Sequence, residues 1–452
     1  MAGGTWTSQN KVLPGVYINV SSQGSLNAAV GSRGVVAMAE PLSWGPTGVI
    51  SEYLPGQDTT ELIGYPLTSP KALFINEIFR GSNRTAAPRL LYLYRPAGTG
   101  GAAATASIGQ LTVTAKYNGV RGNDLSIIIT EDPDNVSTYI VETVIDGAVV
   151  DSQSIKDLSN LADNAWVNFS GSGTTITEDA GKALTGGKDP TVAASDYAAF
   201  MTALEPYQFD VVIYDGTDST TMQALAAFVQ RVSNNIGQKC QVVMADADTD
   251  SEFVISVKNG LTLQDETALT PQQATWWVGG AEAGATYYQS LTYAQHPYAL
   301  AANPKLTEAE LTEAVQAGEL AFTDTFDVVK VCQDINTLTT FTASKGQEFS
   351  KNRVMRVLMQ FCNDIYSYFS STFIGSTNNN EDGRSLLKAY IVQYLNEMQA
   401  NGGIQNFEAD DVTVQPGDAI DAVLINVLVQ PVDSIEKIYM SVTVTVTVSA
   451  EA

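Results

Sequence analysis

The single histidine of the chain, His296 in the stretch AQHPYAL, limits the acid–base chemistry that the sequence can support. A serine or cysteine triad needs an imidazole placed between a nucleophile and an orienting carboxylate. The chain has no Gly-x-Ser-x-Gly turn to expose such a nucleophile. One imidazole is also too few for a histidine-rich metal site. We therefore predict that the protein is not an enzyme and holds no metal ion of this kind.

Aspartates that follow apolar runs are the next residues that could do chemistry. They are Asp215, Asp218, Asp246, Asp248 and Asp250. The last three alternate like the start of a calcium loop, but Ser251 and Val257 stand where that loop requires glycine and glutamate. Aspartate also serves as a helix N-cap and as a turn residue. We interpret the group as turns and caps rather than as a metal or catalytic site.

Phosphate and sugar chemistry have no positive pattern either. The Gly-Lys pairs at Gly181 and Gly187 lack the Ser or Thr that completes a phosphate-binding loop. We therefore predict no cofactor. Paired carboxylates for glycoside hydrolysis have no sequence signature in so acidic a chain. A hydrolase that uses the middle of the chain thus stays a less favoured alternative.

The chain of 452 residues is strongly acidic, with 49 Asp and Glu against 24 Lys and Arg and a formal net charge of −25. Binding to nucleic acid or to an anionic membrane requires a basic footprint, so neither partner is expected. The N-terminus lacks the apolar core of a signal peptide, and no apolar run is long enough to span a membrane. Cys240, Cys332 and Cys362 are widely spaced, which is typical of free thiols in a reducing compartment. We expect the protein to be made in a cytoplasm.

Changes of hydrophobic period divide the chain into parts. A small-residue stretch, 98–110, is interpreted as a linker. Short strands and turns over 111–184 are typical of a small β-sandwich. From residue 189 to 342, strands alternate with helices, which predicts an α/β layer with mainly parallel strands. The helices expected in that layer cover 193–204, 219–235, 271–284 and 307–316.

The last hundred residues predict two helices followed by strands. The second helix begins after Asp382, its expected N-cap, and ends at Gly402-Gly403. Between residues 345 and 405 there are six basic and five acidic residues, although the whole chain carries −25. Arg384 and Lys388 lie one turn apart on this helix. We interpret them as a face that meets an acidic partner surface, with ordinary local ion pairing as the alternative.

Both ends of the chain contain strand patterns. Val16, Ile18 and Val20 alternate with polar or aromatic residues after a Pro-Gly turn. SVTVTVTVSA places Val442, Val444, Val446 and Val448 on one side of a strand. We predict that this strand forms a hairpin with 422–430, in which Gln430 pairs with Glu436, and that its last residues overhang the partner. Such an overhang is available to another sheet.

The segment FIGSTNNNEDGRSLLKAYIVQYLNEMQANGGIQNF is the most distinctive motif of the chain. It resembles a pattern of the contractile tail sheath proteins of myophages and phage-tail-like bacteriocins, of the Gram-positive prophage type. VVKVCQDINTLTTFT and GGTWTSQNKVLPGVYINVSS also match, and the similarity runs from the first residues to the last. Ser376 departs from the pattern, because many members carry a basic residue there.

The resemblance implies a multidomain fold of α+β and α/β parts. It comprises a β-sandwich insert, a non-catalytic middle domain with a subtilisin-like α/β fold, and an α+β C-terminal domain with extended arms at both ends of the chain. The expected divisions are a 1–22 arm, a 23–98 part packed with the C-terminal domain, a 99–187 β-sandwich, a 188–343 α/β domain, a 344–440 C-terminal domain and a 441–452 donated strand.

The resemblance also implies a structural role in a virion tail or a bacteriocin particle. Sheath subunits stack as hexameric rings around an inner tube, and their contraction drives that tube through a cell envelope. The implied partners are further copies of the chain, the inner tube protein, and baseplate and tail terminator proteins. Val16, Ile18 and Val20, with Val442 to Val448, would join a neighbour's sheet, and Arg384 and Lys388 would face the tube. The alternative outside this class is an acidic surface adhesin.

Overall fold

The computed structural model describes residues 3–4, 16–17, 30–325 and 328–445. This part of the chain contains eight α-helices, numbered here in chain order. They are α1 Thr60–Ile63, α2 Leu73–Ile78, α3 Ala194–Leu204, α4 Ser219–Arg231, α5 Pro271–Gly284, α6 Glu308–Gln316, α7 Asn352–Thr372 and α8 Glu381–Ala400. The four helices predicted for the α/β layer therefore begin and end within a few residues of the expected positions. None of the described helices is long and apolar enough to cross a bilayer.

A seven-stranded sheet forms the centre of the molecule. In spatial order its strands are Glu319–Leu320, Val254–Val257, Gln241–Ala245, Val211–Ile213, Val35–Ala39, Leu90–Tyr94 and Ile50–Tyr53. All neighbours run parallel except the last pair, which is antiparallel. Helices α2 and α5 cover one face and α3 and α4 the other. Because both faces are covered, the inner strands are continuous apolar runs, as the sequence predicts.

The N-terminal part of the chain contributes three strands to this sheet, including Val35–Ala39 at its centre. The same part of the chain also packs against the C-terminal domain, because Val35–Ala39 shares a buried core with Met355 and Met359 of α7. At the start of the continuous described chain, the Gly31 amide donates to Asp364 in α7 at 2.8 Å. Apolar runs reveal that a strand is buried, but they do not reveal which distant strand lies beside it.

The β-sandwich consists of a four-stranded and a three-stranded sheet. The first orders Ala148–Ile155, Tyr139–Ile145, Leu125–Glu131 and Asp179–Ala183, and the second orders Val167–Ser170, Leu111–Ala115 and Thr105–Ile108. Thr105–Ile108 lies inside the stretch interpreted as a linker, so that interpretation is wrong for these residues. Small side chains suit this strand because its inward Ala106 packs in a narrow core. Trp44, from outside the sandwich, closes the core against Trp166 at 5.1 Å between ring centroids.

Helices α7 and α8 form the C-terminal domain together with a hairpin of Val412–Pro416 and Val423–Val427. One face of α8 is buried, including Tyr394, Leu395 and Met398. The N-cap of α8 is Asn380, whose side chain accepts from the Gly383 amide at 2.9 Å, and not Asp382 as expected. Asn380 takes this role because the chain is already extended at that residue.

The predicted hairpin between 422–430 and the C-terminal segment is wrong. Residues 423–427 pair instead with 412–416, and Gln430 pairs with Gln405. Glu436 and the residues after it, up to 445, are in no strand. A strand pattern shows that a segment can pair, but not with which strand. The short connection 417–422 brings Val423–Val427 back beside Val412–Pro416.

Candidate functional site

His296 is buried and fully engaged by hydrogen bonds. Its Nε2 lies 2.7 Å from Oε2 of Glu77, and its Nδ1 accepts the Tyr298 amide at 3.1 Å. Because Nδ1 is an acceptor, the proton lies on Nε2, which donates to the carboxylate. No ring nitrogen is left to take a proton from a nucleophile. This arrangement supports a structural role for the imidazole and offers nothing to the hydrolase alternative.

Most of these aspartates accept hydrogen bonds within the fold, and one of them caps a helix. Asp218 caps α4 by accepting from the Thr221 amide at 2.8 Å. Asp250 accepts the Thr339 amide at 2.7 Å, and Asp246 accepts from Gln272. Among the described residues, no group of three or more His, Cys, Asp or Glu side chains could hold a metal ion.

Asp215 differs from the others because it forms a buried carboxyl pair with Glu40. The two residues follow the adjacent central strands Val211–Ile213 and Val35–Ala39, and Trp276 donates its indole N–H to Asp215 at 2.9 Å. Burial raises the pKa of Glu40 well above its usual value, and the charge of Asp215 raises it further. The pair therefore favours the protonated form of Glu40 more strongly than a carboxyl in water does.

Replacing Glu40 by glutamine is expected to make the protein less sensitive to alkaline pH. A carboxyl whose pKa is raised in the fold stabilises below its ordinary pKa of 4.5, and that contribution is lost as pH rises through the raised value. At pH 9, Glu40→Gln should thus be more stable than the parent and unfold at a higher temperature. The expected gain in the free energy of unfolding is about 1–3 kcal/mol, the cost of one buried unpaired polar group. Thermal unfolding from pH 4 to 9 measures this, and a constant difference across that range would contradict it.

The residues predicted to form the terminal strands are only partly described. Val16 and Tyr17 run parallel to Gly3–Gly4 as a two-residue pair. Val442 and Val444 are 78% and 81% exposed and belong to no strand. Ile18, Val20, Val446 and Val448 lie outside the described residues.

The segment that leads to Val442 and Val444 is apolar and exposed. Its large apolar side chains, each at least 78% exposed, are Ile435, Ile438, Tyr439 and Met440. Scattered exposed apolar residues are ordinary, but a continuous series on one segment marks an interaction site. The segment is therefore a candidate to bind another surface.

The hairpin on α8 is an incomplete sheet. Its strands pair only with each other within the described chain, while Val412, Val414 and Ile425 pack on the helices. A two-stranded sheet is marginal alone, and each outer edge leaves backbone groups unpaired. Beside Val423–Val427 lies a cavity of about 350 Å³ with a mixed lining, in which Phe369 and Phe373 are apolar whereas Arg384 and Asp421 are charged. This edge can accept a further strand.

Arg384 and Lys388 lie near this hairpin at the start of α8, and both are half-buried. Arg384 donates to the side-chain oxygen of Asn379 at 3.0 Å. Lys388 is 3.8 Å from the fully exposed carboxylate of Asp410. Asn379 and Asp410 are exposed to water and bind the two cations only weakly, so Arg384 and Lys388 remain available to an external acidic group.

A buried ionic cluster that the sequence pattern did not indicate joins the domains. Arg356 of α7 is fully buried and donates to the carboxylates of Glu282 in α5 and of Asp334. Burial opposes the charge of Arg356, but the two carboxylates outweigh it and raise its pKa. Arg33 lies 3.6 Å from the same Glu282. The cluster therefore connects the N-terminal, middle and C-terminal parts of the chain.

Glu436 anchors the C-terminal segment, a role that the sequence did not predict. Its carboxylate accepts from Lys351 and, at 2.7 Å, from the hydroxyl of Thr292. Gln333 donates to it at 2.5 Å. Burial alone would raise the pKa of Glu436, but these hydrogen bonds lower it. A glutamate in an apolar and exposed stretch is the only sequence signal of this role.

The fold and site together define a structural, multidomain protein that presents unpaired strand edges and an exposed apolar segment. Comparison with known families matches each domain in turn. Residues 99–189 match the phage tail sheath protein β-sandwich domain, 191–337 its central domain, and 344–445 the phage tail sheath C-terminal domain. The chain belongs to the phage tail sheath protein family.

Individual relatives agree with this assignment. The chain is 34% identical to the phage-like element PBSX protein XkdK of Bacillus subtilis, over 98% of this chain and 100% of that protein. It is 42% identical to the sheath tail protein of Desulfitobacterium hafniense, with a TM-score of 0.85, covering 94% of this chain and 99% of that one. The anti-feeding prophage helical sheath in its contracted state shares the fold, with a TM-score of 0.58 at 12% identity over 96% and 99%. The resemblance seen in the sequence is thus confirmed.

Proposed function

We propose that the protein is the subunit of a contractile tail sheath in which neighbouring copies are linked by donated strands. Subunits stack as hexameric rings around an inner tube, and the assembled lattice contracts to drive that tube through a cell envelope. A heterologous interface whose rotation does not close generates such a helical tube. The incomplete hairpin sheet carries this proposal, because none of the described residues pairs with its outer edges and a cavity lies beside it.

The donated strands are proposed to come from both ends of the chain. Val442, Val444, Val446 and Val448 would enter the hairpin sheet of one neighbour, and Val16, Ile18 and Val20 that of another. The exposure of Val442 and Val444 supports this role, because covering an apolar segment with a partner removes it from water and stabilises the complex. Main-chain hydrogen bonds would hold neighbours together while flexible tethers allow their movement.

The middle domain is proposed to have a subtilisin-like arrangement used only as a scaffold. Its mainly parallel sheet, covered by helices on both faces, supports this reading. Both ring nitrogens of His296 are engaged in hydrogen bonds, which supports a domain that has this fold but no catalytic role. Assembly in the host cytoplasm and contacts with the baseplate and tail terminator proteins belong to the same proposal.

Arg384 and Lys388 are proposed to face the inner tube. Replacing both by glutamate should leave the subunit folded, because each has a weak, solvent-accessible partner. We expect the variant to bind the inner tube at least about tenfold more weakly, since like charges across an interface oppose association. Co-sedimentation with purified tubes at low salt measures this. The same change at Lys156, an exposed residue of the sandwich, is the control, and equal binding by both variants would refute the assignment.

Negative-stain microscopy of the purified protein tests the proposed function directly. Long hollow tubes with a cogwheel cross-section are expected. Particles that stay monomeric at every salt concentration would contradict a sheath and favour the adhesin alternative.

A further inference from the structure

Glu436 sits where the C-terminal segment leaves the folded subunit. Upstream, the Val432 amide donates to the Gly403 carbonyl at 2.9 Å, and Gln430 pairs with Gln405. The chain is therefore fixed to the C-terminal domain up to residue 432. Downstream, from residue 437, the side chains are exposed. Glu436 is the last residue of the segment whose side chain is held by the rest of the molecule through described hydrogen bonds.

The partners of Glu436 belong to two domains. Thr292 and Gln333 lie in the middle domain, whereas Lys351 lies at the N-cap of α7 in the C-terminal domain. The Glu436 side chain is 11% exposed. A charge this far from water is tolerated where hydrogen bonds and an opposite charge surround it. The three donors thus select one position for the chain at residue 436.

The rest of the segment has no comparable attachment. Ile435 is 86% exposed and Ile438 is 78% exposed, so the apolar side chains on either side of Glu436 contribute little to holding it. A carboxylate with three donors is accordingly the contact that determines the direction in which residues 438–445 depart. A cavity beside it, lined by α6 residues such as Leu311 and Val315, leaves room for the backbone to move if that contact is lost.

We propose that Glu436 is a positioning residue that clasps the C-terminal segment across the two domains and so directs the donated strand toward its acceptor. The inference rests on the proposed strand donation. A tether finds its site at an effective concentration set by its length and its point of departure. With Glu436 held, the free tether begins at residue 437; without it, the tether begins near residue 432, so its end samples a larger volume.

Tryptic cleavage after Lys437 tests the clasp in the isolated full-length subunit. Lys437 is exposed but adjoins the clasp, so the parent should be cleaved slowly there. In Glu436→Gln we expect cleavage at least about tenfold faster, the factor that follows from losing a charge-assisted hydrogen bond. Intact-mass spectrometry quantifies the product, with cleavage after the exposed Lys156 as internal reference. Glu313→Gln, an exposed change on α6, is the matched control, and equal rates in all three proteins would overturn the clasp.

A charge-reversed pair separates the clasp from a general loss of stability. Lys351→Glu together with Glu436→Lys should restore slow cleavage, with cuts after residues 436 and 437 counted together because the new lysine is itself a tryptic site, whereas either single change should not. Tube assembly by Glu436→Gln should require a severalfold higher concentration than assembly by the parent. Fast cleavage with normal assembly would overturn the positioning role and leave the clasp intact. Removal of 445–452 tests donation separately, so failure of that proposal is distinguishable from failure of this one.

Discussion

Replacing Arg356 by alanine is expected to destabilise the subunit more than any other single change considered for this protein. The substitution would leave the carboxylates of Glu282 and Asp334 buried without their main partner. Breaking a buried ion pair by removing one partner costs about 3–5 kcal/mol, because an uncompensated charge stays in the interior. Urea unfolding followed by tryptophan fluorescence measures the change as a shift of the midpoint.

A surface arginine provides the matched control. Arg231 pairs with Glu205 at 2.6 Å, but both side chains are close to half exposed. Water replaces such a partner readily, so Arg231→Ala should shift the midpoint far less. A triple variant, Arg356→Met with Glu282→Gln and Asp334→Asn, should recover much of the loss, because it removes the buried charges together. Equal shifts for Arg356→Ala and Arg231→Ala would show that the cluster does not stabilise the fold.

The location of the cluster gives this prediction a consequence for assembly. Arg356 joins α7 to the middle domain, and Arg33 joins the N-terminal part to the same Glu282. In the proposed sheath, a force that a neighbouring subunit applies to the C-terminal domain would reach the middle domain through these buried contacts. A variant weakened here should form shorter tubes at a temperature where the parent forms long ones.

Removing residues 445–452 is expected to give a soluble and folded subunit that no longer forms tubes. The core clusters of the described chain, with the apolar residues packed on them, lie within residues 30–429, so the deletion leaves them intact. Far-UV circular dichroism and the unfolding temperature should match those of the parent. Negative-stain microscopy and sedimentation should show subunits or small rings instead of long tubes, because the strand that links neighbours is missing.

A variant of unchanged length separates strand pairing from mere reach. Replacing residues 445–452 by eight Gly and Ser residues keeps the tether but removes the alternating valine pattern. We expect this variant to fail in assembly as the deletion does. Tube formation equal to that of the parent, by either variant, would refute strand donation by this segment.

Much of the local structure could be predicted because its causes are local. The periods of the apolar residues placed α3 to α6 and α8 within a few residues of their observed bounds, and Pro271 and Thr307 marked helix starts. The lone histidine was the sequence argument against a triad, and in the structure its two ring nitrogens are both engaged in hydrogen bonds. The function could be proposed only from the family resemblance, because no catalytic or ligand-binding motif in the sequence indicates a structural role.

The arrangement of these elements could not be predicted in the same way. The sequence alone determined the helices of the middle domain, most of the β-sandwich, and the family to which the chain belongs. Only the tertiary structure decided that Val35–Ala39 is central to the sheet, that 423–427 pairs with 412–416, and that Glu436 spans two domains. Periodicity depends on neighbours a few residues apart. Sheet order and buried charge partners depend on contacts between residues up to hundreds of positions apart, which pattern alone does not encode.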